Sequence, residues 1–319
     1  MSMGAMGRDG RTPVSGGCRD RSAEVGGTLP PLRREDALRV FGETLRALVA
    51  SDAGGRGVAK LYDPRVLARG VALLAHSRYP TLVTGFVVPP LGVAETDGPS
   101  GVAVLARALA RRGADPRVVT DDRCLPVVRA ACDALGAPVP RSARGGEDVG
   151  EDRTDLLVFV ERLGKASDGG YYNMRGEEIG AWTAPLDAAA LRARAAGIPV
   201  LAVGDGGNEV GMGNYTQELT ALVPSFARCL SAVCADATLV VDVSNWGAYA
   251  LAAGISLEER RWLGHDDEEE ALLVRAMAAA GAVDGASKRA EATVDGLPLE
   301  RHCEVVRKIR ECWERCEEA

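Results

Sequence analysis

Apolar positions recur first at helical spacing. Leu38, Phe41, Leu45 and Leu48 fall on one stripe of a helix that begins near Arg34, and Leu67, Val71 and Leu74 form the inner face of a second helix that Pro80 stops. Beyond it, short apolar runs alternate with helical patterns. The runs predict strands over 81–86, 117–120, 156–160, 199–203 and 238–243, and helices fit over 100–112, 124–135, 187–196 and 217–230. Gly113, Gly136 and Gly197 stand just past the first three of those helices, where a left-handed residue ends a helix cheaply. This alternation predicts an α/β domain with a largely parallel sheet covered by helices. Residues 257–319 read as mostly helical, with the acidic run from Asp266 to Glu270 as a solvated helix start favoured by the helix dipole.

Composition narrows this picture. Residues 1–33 are rich in Gly, Arg, Ser and Pro and lack periodicity, so they are expected to form a disordered tail, leaving 34–319 as the α/β domain. A net charge of -7 argues against a sequence-independent grip on nucleic acid. Eight cysteines without a CxxC pair and three scattered histidines, His76, His265 and His302, predict reduced thiols and no zinc cluster. The N-terminus has no apolar stretch behind Arg8, Asp9 and Arg11, and no segment reaches the roughly 18 apolar residues of a membrane span, so the expected compartment is the cytoplasm.

In such sheets the ligand lies beyond the carboxyl ends of the strands. The connections there are unusual. The first holds Glu95, Thr96, Asp97 and Gly98; the third runs from Glu161 through Arg162, Lys165, Asp168, Asn173 and Arg175; the fourth is Gly204-Asp205-Gly206-Gly207-Asn208-Glu209; the fifth leads into Ser244, Asn245 and Trp246. Acids, amides and glycines from four strand ends predict one composite site. The glycine loop does not match a dinucleotide fingerprint, because Glu209 stands where the third glycine belongs, and it lacks the Gly-Lys-Ser/Thr of a phosphate loop, so no nucleotide cofactor is expected. Simpler structural accounts stand beside this one. Glycines permit tight turns, Asp97, Ser244 and Asn245 suit helix capping, and Trp246 reads as core.

Five stretches, ETDGPSG from Glu95, ERLGKASDGGYYNMRG from Glu161, GDGGNEVGMGN from Gly204, SNWGAYAL from Ser244 and TVDGLP from Thr293, together resemble the C-terminal domain of D-glutamate cyclase over roughly residues 35–315. The resemblance implies a three-layer α/β/α fold and a lyase that converts D-glutamate to 5-oxo-D-proline and water. Some members of that family carry a preceding hydro-lyase-like domain, for which the first 34 residues are too short, so a stand-alone form is expected.

Such a cyclisation needs a deprotonated amine, an electrophilic carboxylate and a proton donor for the departing oxygen. Oxygen ligands without a soft cluster favour Mg²⁺ or Mn²⁺, with Glu95, Asp205 and Glu209 as metal ligands and Asp205 and Glu209 also as amine ligands. Asp97 or Asp168 would shuttle protons. Arg162, Lys165 and Arg175 would take the substrate carboxylates, and Asn173, Asn208, Ser244 and Asn245 would orient the bent molecule. The expected partner is a small amino-acid substrate, and a homo-oligomer is compatible with this reading. A metal-dependent phosphohydrolase and a non-catalytic amino-acid sensor remain alternatives.

Overall fold

The computed structural model describes residues 32–150 and 153–318. Helix α1, Leu32–Val49, opens two residues before the predicted start near Arg34, so the expected disordered tail lies outside the described residues apart from its last two positions. Helix α2 spans Pro64–His76, capped by the Asp63 carboxylate, which accepts from the Arg65 N–H at 2.9 Å.

Six strands build one sheet: β1 Pro80–Thr84, β2 Arg117–Thr120, β3 Arg141–Ser142, β4 Leu156–Val160, β5 Val200–Gly204 and β6 Ala237–Val240. Their spatial order is β3-β2-β1-β4-β5-β6, and every pairing is parallel. The order reverses between β1 and β4, and that switch point is where an open α/β sheet presents a crevice. Strand residues alternate between the two faces. Leu82, Val118, Val158 and Leu201 enter the larger core, whereas Val83, Val119, Phe159 and Ala202 enter the smaller one.

The helical layers are unequal. The larger core is built with α1, α2, α3 Pro99–Arg111, α4 Leu125–Leu135, α7 Ser244–Glu258, α8 Asp267–Ala279 and α9 Leu299–Glu318. The other face carries α5 Ala188–Ala195. The predicted α/β/α layering is therefore present, with a thin second layer.

Several boundaries differ from expectation. β1 stops at Thr84 because Gly85 turns the chain at φ 114°, and a two-residue ladder, Val87–Val88 against Val93–Ala94, fills the connection. The helix predicted over 217–230 is broken by Pro224 into α6 Thr216–Leu222 and a 3₁₀ turn, Pro224–Cys229. β3 has two exposed residues and no apolar run to announce it. Among the described residues, Cys124, Cys132, Cys229, Cys303, Cys312 and Cys316 are free thiols, as the sequence leads one to expect of them.

Candidate active site

The site begins where two helices start together. Asp97 closes the β1–α3 connection, yet its carboxylate caps α7: Oδ2 accepts from the Ser244 N–H at 2.8 Å and Oδ1 from the Asn245 N–H at 2.8 Å. Asn245 returns the arrangement to α3, its Oδ1 accepting from the N–H groups of Gly98 at 3.0 Å and Gly101 at 2.7 Å. Each helix start thus receives its cap from the other, and α3 and α7 are locked at the switch point. Gly98 makes this approach feasible. A Cβ on it would lie 2.5 Å from Thr84 Oγ1 and 2.8 Å from Glu161 Cβ, and its φ is 97°.

Around that junction three carboxylates converge. Asp97, Glu161 and Asp205 each offer one oxygen, and the three oxygens lie within 4.8 Å of one another, all on buried residues. Glu161 is the first residue after β4 and is held at φ 45°, a conformation costly outside glycine; its N–H donates to Val203 on β5. Ser244 ties the trio together: its Oγ donates to Glu161 at 2.7 Å, and its N–H is shared between Asp97 and Asp205, the latter at 3.1 Å. Arg56, from the segment between α1 and α2, pairs with Asp205 and, at 2.9 Å, with Asp295. Glu95, Asp97, Glu161 and Asp205 are all less than a tenth exposed.

Burial is the main cause of the pocket's electrostatics. It pushes the Asp97 carboxyl up to about 7, helped by the charge of Asp295. It raises Glu95 well above the carboxylate range, with Asp295 and Asp97 adding to the effect, and raises Glu161, with Glu209 and Glu95 adding. Asp205 is also raised by burial, against the pull of Arg56. A group of buried acids that outnumbers its counter-charge resists full ionisation and favours an incoming cation. Three carboxylates at this spacing could hold a metal ion.

The other predicted residues divide into walls and rim. Glu209 does not join the trio: its carboxylate accepts from Gly206 and Gly207 at 2.6 Å each and from Asp205 at 3.2 Å, closing its own loop. Asn208 donates to the Tyr172 carbonyl at 2.8 Å and ties that loop to the one after β4. Arg162 is 1% exposed and is committed to Asp121 at 2.5 Å and to the carbonyls of Gly85 and Ala184. Asn173 donates to Glu177 and accepts from the Arg175 and Glu177 N–H groups, which fixes a turn. The Lys165 ammonium lies 5.8 Å from the Tyr171 ring centre. Arg175 reaches the carbonyls of Gly285 and Ala286, at the start of the segment that carries Asp295. Asp168 stands apart, 42% exposed and bonded to Tyr172 and Arg228, and the Gly170 N–H leads the contacts that lower its pKa.

Three participants escaped the choice of site residues made from the sequence. Glu161 was present as the first letter of its motif, and its place directly after a buried strand was the available signal. Asp295 sits in TVDGLP, 198 positions from Asp97 in the chain (295 − 97), with nothing local to mark it as a partner. Arg56 lies before the first strand in a Gly-rich stretch and carries no motif. Trp246 is core, as read: it is 0% exposed and its Nε1 donates to His302 Nδ1 at 2.9 Å.

Fold and site together define a doubly wound α/β protein with a buried carboxylate pocket at its switch point. The D-glutamate cyclase-like C-terminal family model matches residues 45–310, and the chain belongs to that family. It is similar to the human mitochondrial D-glutamate cyclase, 30% identical over 237 residues, a stretch covering 66% of this chain and 38% of the human protein. The matched region thus accounts for well under half of that relative's length. No helix among the described residues is long and apolar enough to cross a membrane.

Proposed function

We propose that the pocket cyclises D-glutamate to 5-oxo-D-proline and water, with a divalent cation, Mg²⁺ or Mn²⁺, held by Asp97, Glu161 and Asp205. The convergence of these three buried carboxylates at the switch point carries the reading, and the family supports the substrate. A cation bound there would supply Lewis acidity to make the substrate's γ-carboxylate electrophilic. Hard oxygen ligands suit those two metals.

In this reaction the α-nitrogen forms a bond to the γ-carbon and one C–O bond breaks. The ammonium gives up two protons, and both leave with the carboxylate oxygen as water. A carboxyl group must therefore take protons at one atom and return them at another. Glu95 takes that task in place of Asp97 and Asp168: burial and the charges of Asp295 and Asp97 raise its proton affinity, so its carboxylate form accepts a proton from the ammonium and its acid form returns it to the departing oxygen. Ser244 and Asn245 fix the trio, and Glu209, Asn208, Asn173 and Arg162 build the walls that keep it in register. Lys165 and Arg175 add positive charge on the strand-end loops, which favours the approach of an anionic amino acid.

The test is incubation of the Mn²⁺- or Mg²⁺-supplemented protein with D-glutamate and, separately, L-glutamate, following 5-oxoproline by chiral chromatography. Turnover of the D isomer, lost with a chelator and in Asp205→Asn and Glu161→Gln, is expected. Folded protein that turns over neither isomer with either metal refutes the proposal.

A further inference from the structure

Arg56 enters the acid pocket from outside the strand-end loops. It stands between Gly55 and Gly57, both at positive φ. The backbone before it is pinned, since the N–H groups of Ser51 and Asp52 donate to the Asp242 carboxylate at 2.7 and 2.9 Å. Its side chain is 32% exposed, whereas the carboxylates it grips, on Asp205 and Asp295, are 5% and 8% exposed. The acids are fixed in the interior, whereas Arg56 is the more exposed partner and hangs on a glycine-flanked segment, so it is the partner that can give way.

Two further oxygens point to a ligand beyond Arg56. Asp295 Oδ2 and Thr84 Oγ1 are buried and have no hydrogen-bond partner. Thr84 ends β1 beside Gly98 and Glu161, and its residue is 0% exposed. Buried oxygens without a donor are expensive, and they are the ligand type that a hard cation recruits. Arg56 supplies one positive charge to Asp205 on an oxygen of the same carboxylate that belongs to the trio. A dication on the trio and a guanidinium on that carboxylate would repel each other at close range.

We propose that Arg56 is an exchangeable counter-ion: a divalent cation entering between Asp97, Glu161 and Asp205 displaces its guanidinium from Asp205, and the freed guanidinium then takes a carboxylate of the substrate. The second half rests on the cyclase reading above; the exchange itself does not. The planar fork of Arg suits both tasks, since it bridges two carboxylates in one state and grips one bidentately in the other.

The experiment is Mn²⁺ binding to the full chain, followed by electron paramagnetic resonance of the free ion, for the wild type, Arg56→Gln, Arg56→Lys and Asp205→Asn. Removal of the competing charge is expected to tighten Mn²⁺ binding by at least about tenfold in Arg56→Gln, with Arg56→Lys in between and Asp205→Asn weaker than wild type. Equal or weaker binding by Arg56→Gln, or no binding by any chain, overturns the exchange. If Arg56→Gln does not fold, Arg56→Lys decides by the same comparison. For the second half, KM for D-glutamate is expected to rise at least about tenfold in Arg56→Lys with a smaller change in kcat, as loss of a bidentate grip predicts. An unchanged KM overturns the carboxylate role. Tighter Mn²⁺ binding in a chain whose wild type has no turnover supports the exchange and overturns the cyclase reading.

Discussion

Neutralising Asp97 should stabilise the metal-free protein at alkaline pH while removing a group the proposed reaction needs. The Asp97 carboxyl titrates near 7 in the folded chain, against 3.8 when solvated. Its folded pKa is raised, so its contribution to stability is fully present below 3.8 and is lost as pH rises through 7. At about 1.4 kcal/mol per tenfold change in proton affinity, the raised pKa costs the fold about 4 kcal/mol at pH 8, where the buried group is ionised, and about 1.5 kcal/mol at pH 5, where folding must take up a proton. Asp97→Asn removes this cost. It also leaves one carbonyl oxygen where two carboxylate oxygens receive the Ser244 and Asn245 N–H groups, so one of those bonds is lost, at about 1–2 kcal/mol. The two effects cancel near pH 5 and leave the variant more stable by about 2–3 kcal/mol at pH 8. Urea unfolding with a chelator present reads this as matching midpoints at pH 5 and a variant midpoint higher by roughly 1 M at pH 8. A variant that is weaker by the same amount at both values would show that Asp97 is an ordinary ionised cap, and the electrostatic account of the pocket would fail.

Two further substitutions separate walls from chemistry. Arg162→Met leaves Asp121 buried without its ion pair and is expected to lose about 3–5 kcal/mol in urea unfolding, partly recovered by adding Asp121→Asn; unchanged stability with a raised KM would instead make the guanidinium a substrate ligand. Gly98→Ala forces a Cβ against Thr84 and Glu161 at a positive φ and is expected to cost about 2–4 kcal/mol; a midpoint within error of wild type would show that the α3–α7 junction is looser than its geometry implies.

Much of the layered fold was legible because parallel strands and amphipathic helices write different periods into the chain. β2 and β4 match the predicted strands residue for residue, and α4 ends at Leu135 with Gly136 at φ 63° beyond it. α7 was not legible as an element. Its residues Ser244 to Ser256 are all buried, so no polar face alternates with an apolar one and the helical period is silent. The motif that begins it was visible only as chemistry. The glycine-flanked ends were clearer than the strand ends because a glycine stop is local, whereas β1 and β6 end where the site requires a turn.

For the site, proximity along the chain misled and proximity across strand ends informed. Capping was a sound structural account of Asp97, but the helix it caps is α7, 147 residues further on, not α3, which follows it. Glu209 and Arg162 have the residue types of ligands and are consumed by neighbouring backbone and by Asp121, a commitment no spacing rule reveals. What distinguishes Asp97, Glu161 and Asp205 is that their surroundings leave carboxylate oxygens facing one another across β1, β4 and β5. Even Asp295, contributed from the region between α8 and α9, arrives through the fold's long-range ties: Thr96 donates to the Thr293 carbonyl at 2.8 Å, and His302 contacts the Val294 carbonyl at 3.2 Å. A pocket of this kind is a property of the switch point, because only there do two divergent strand ends leave room for four loops to turn their acids inward.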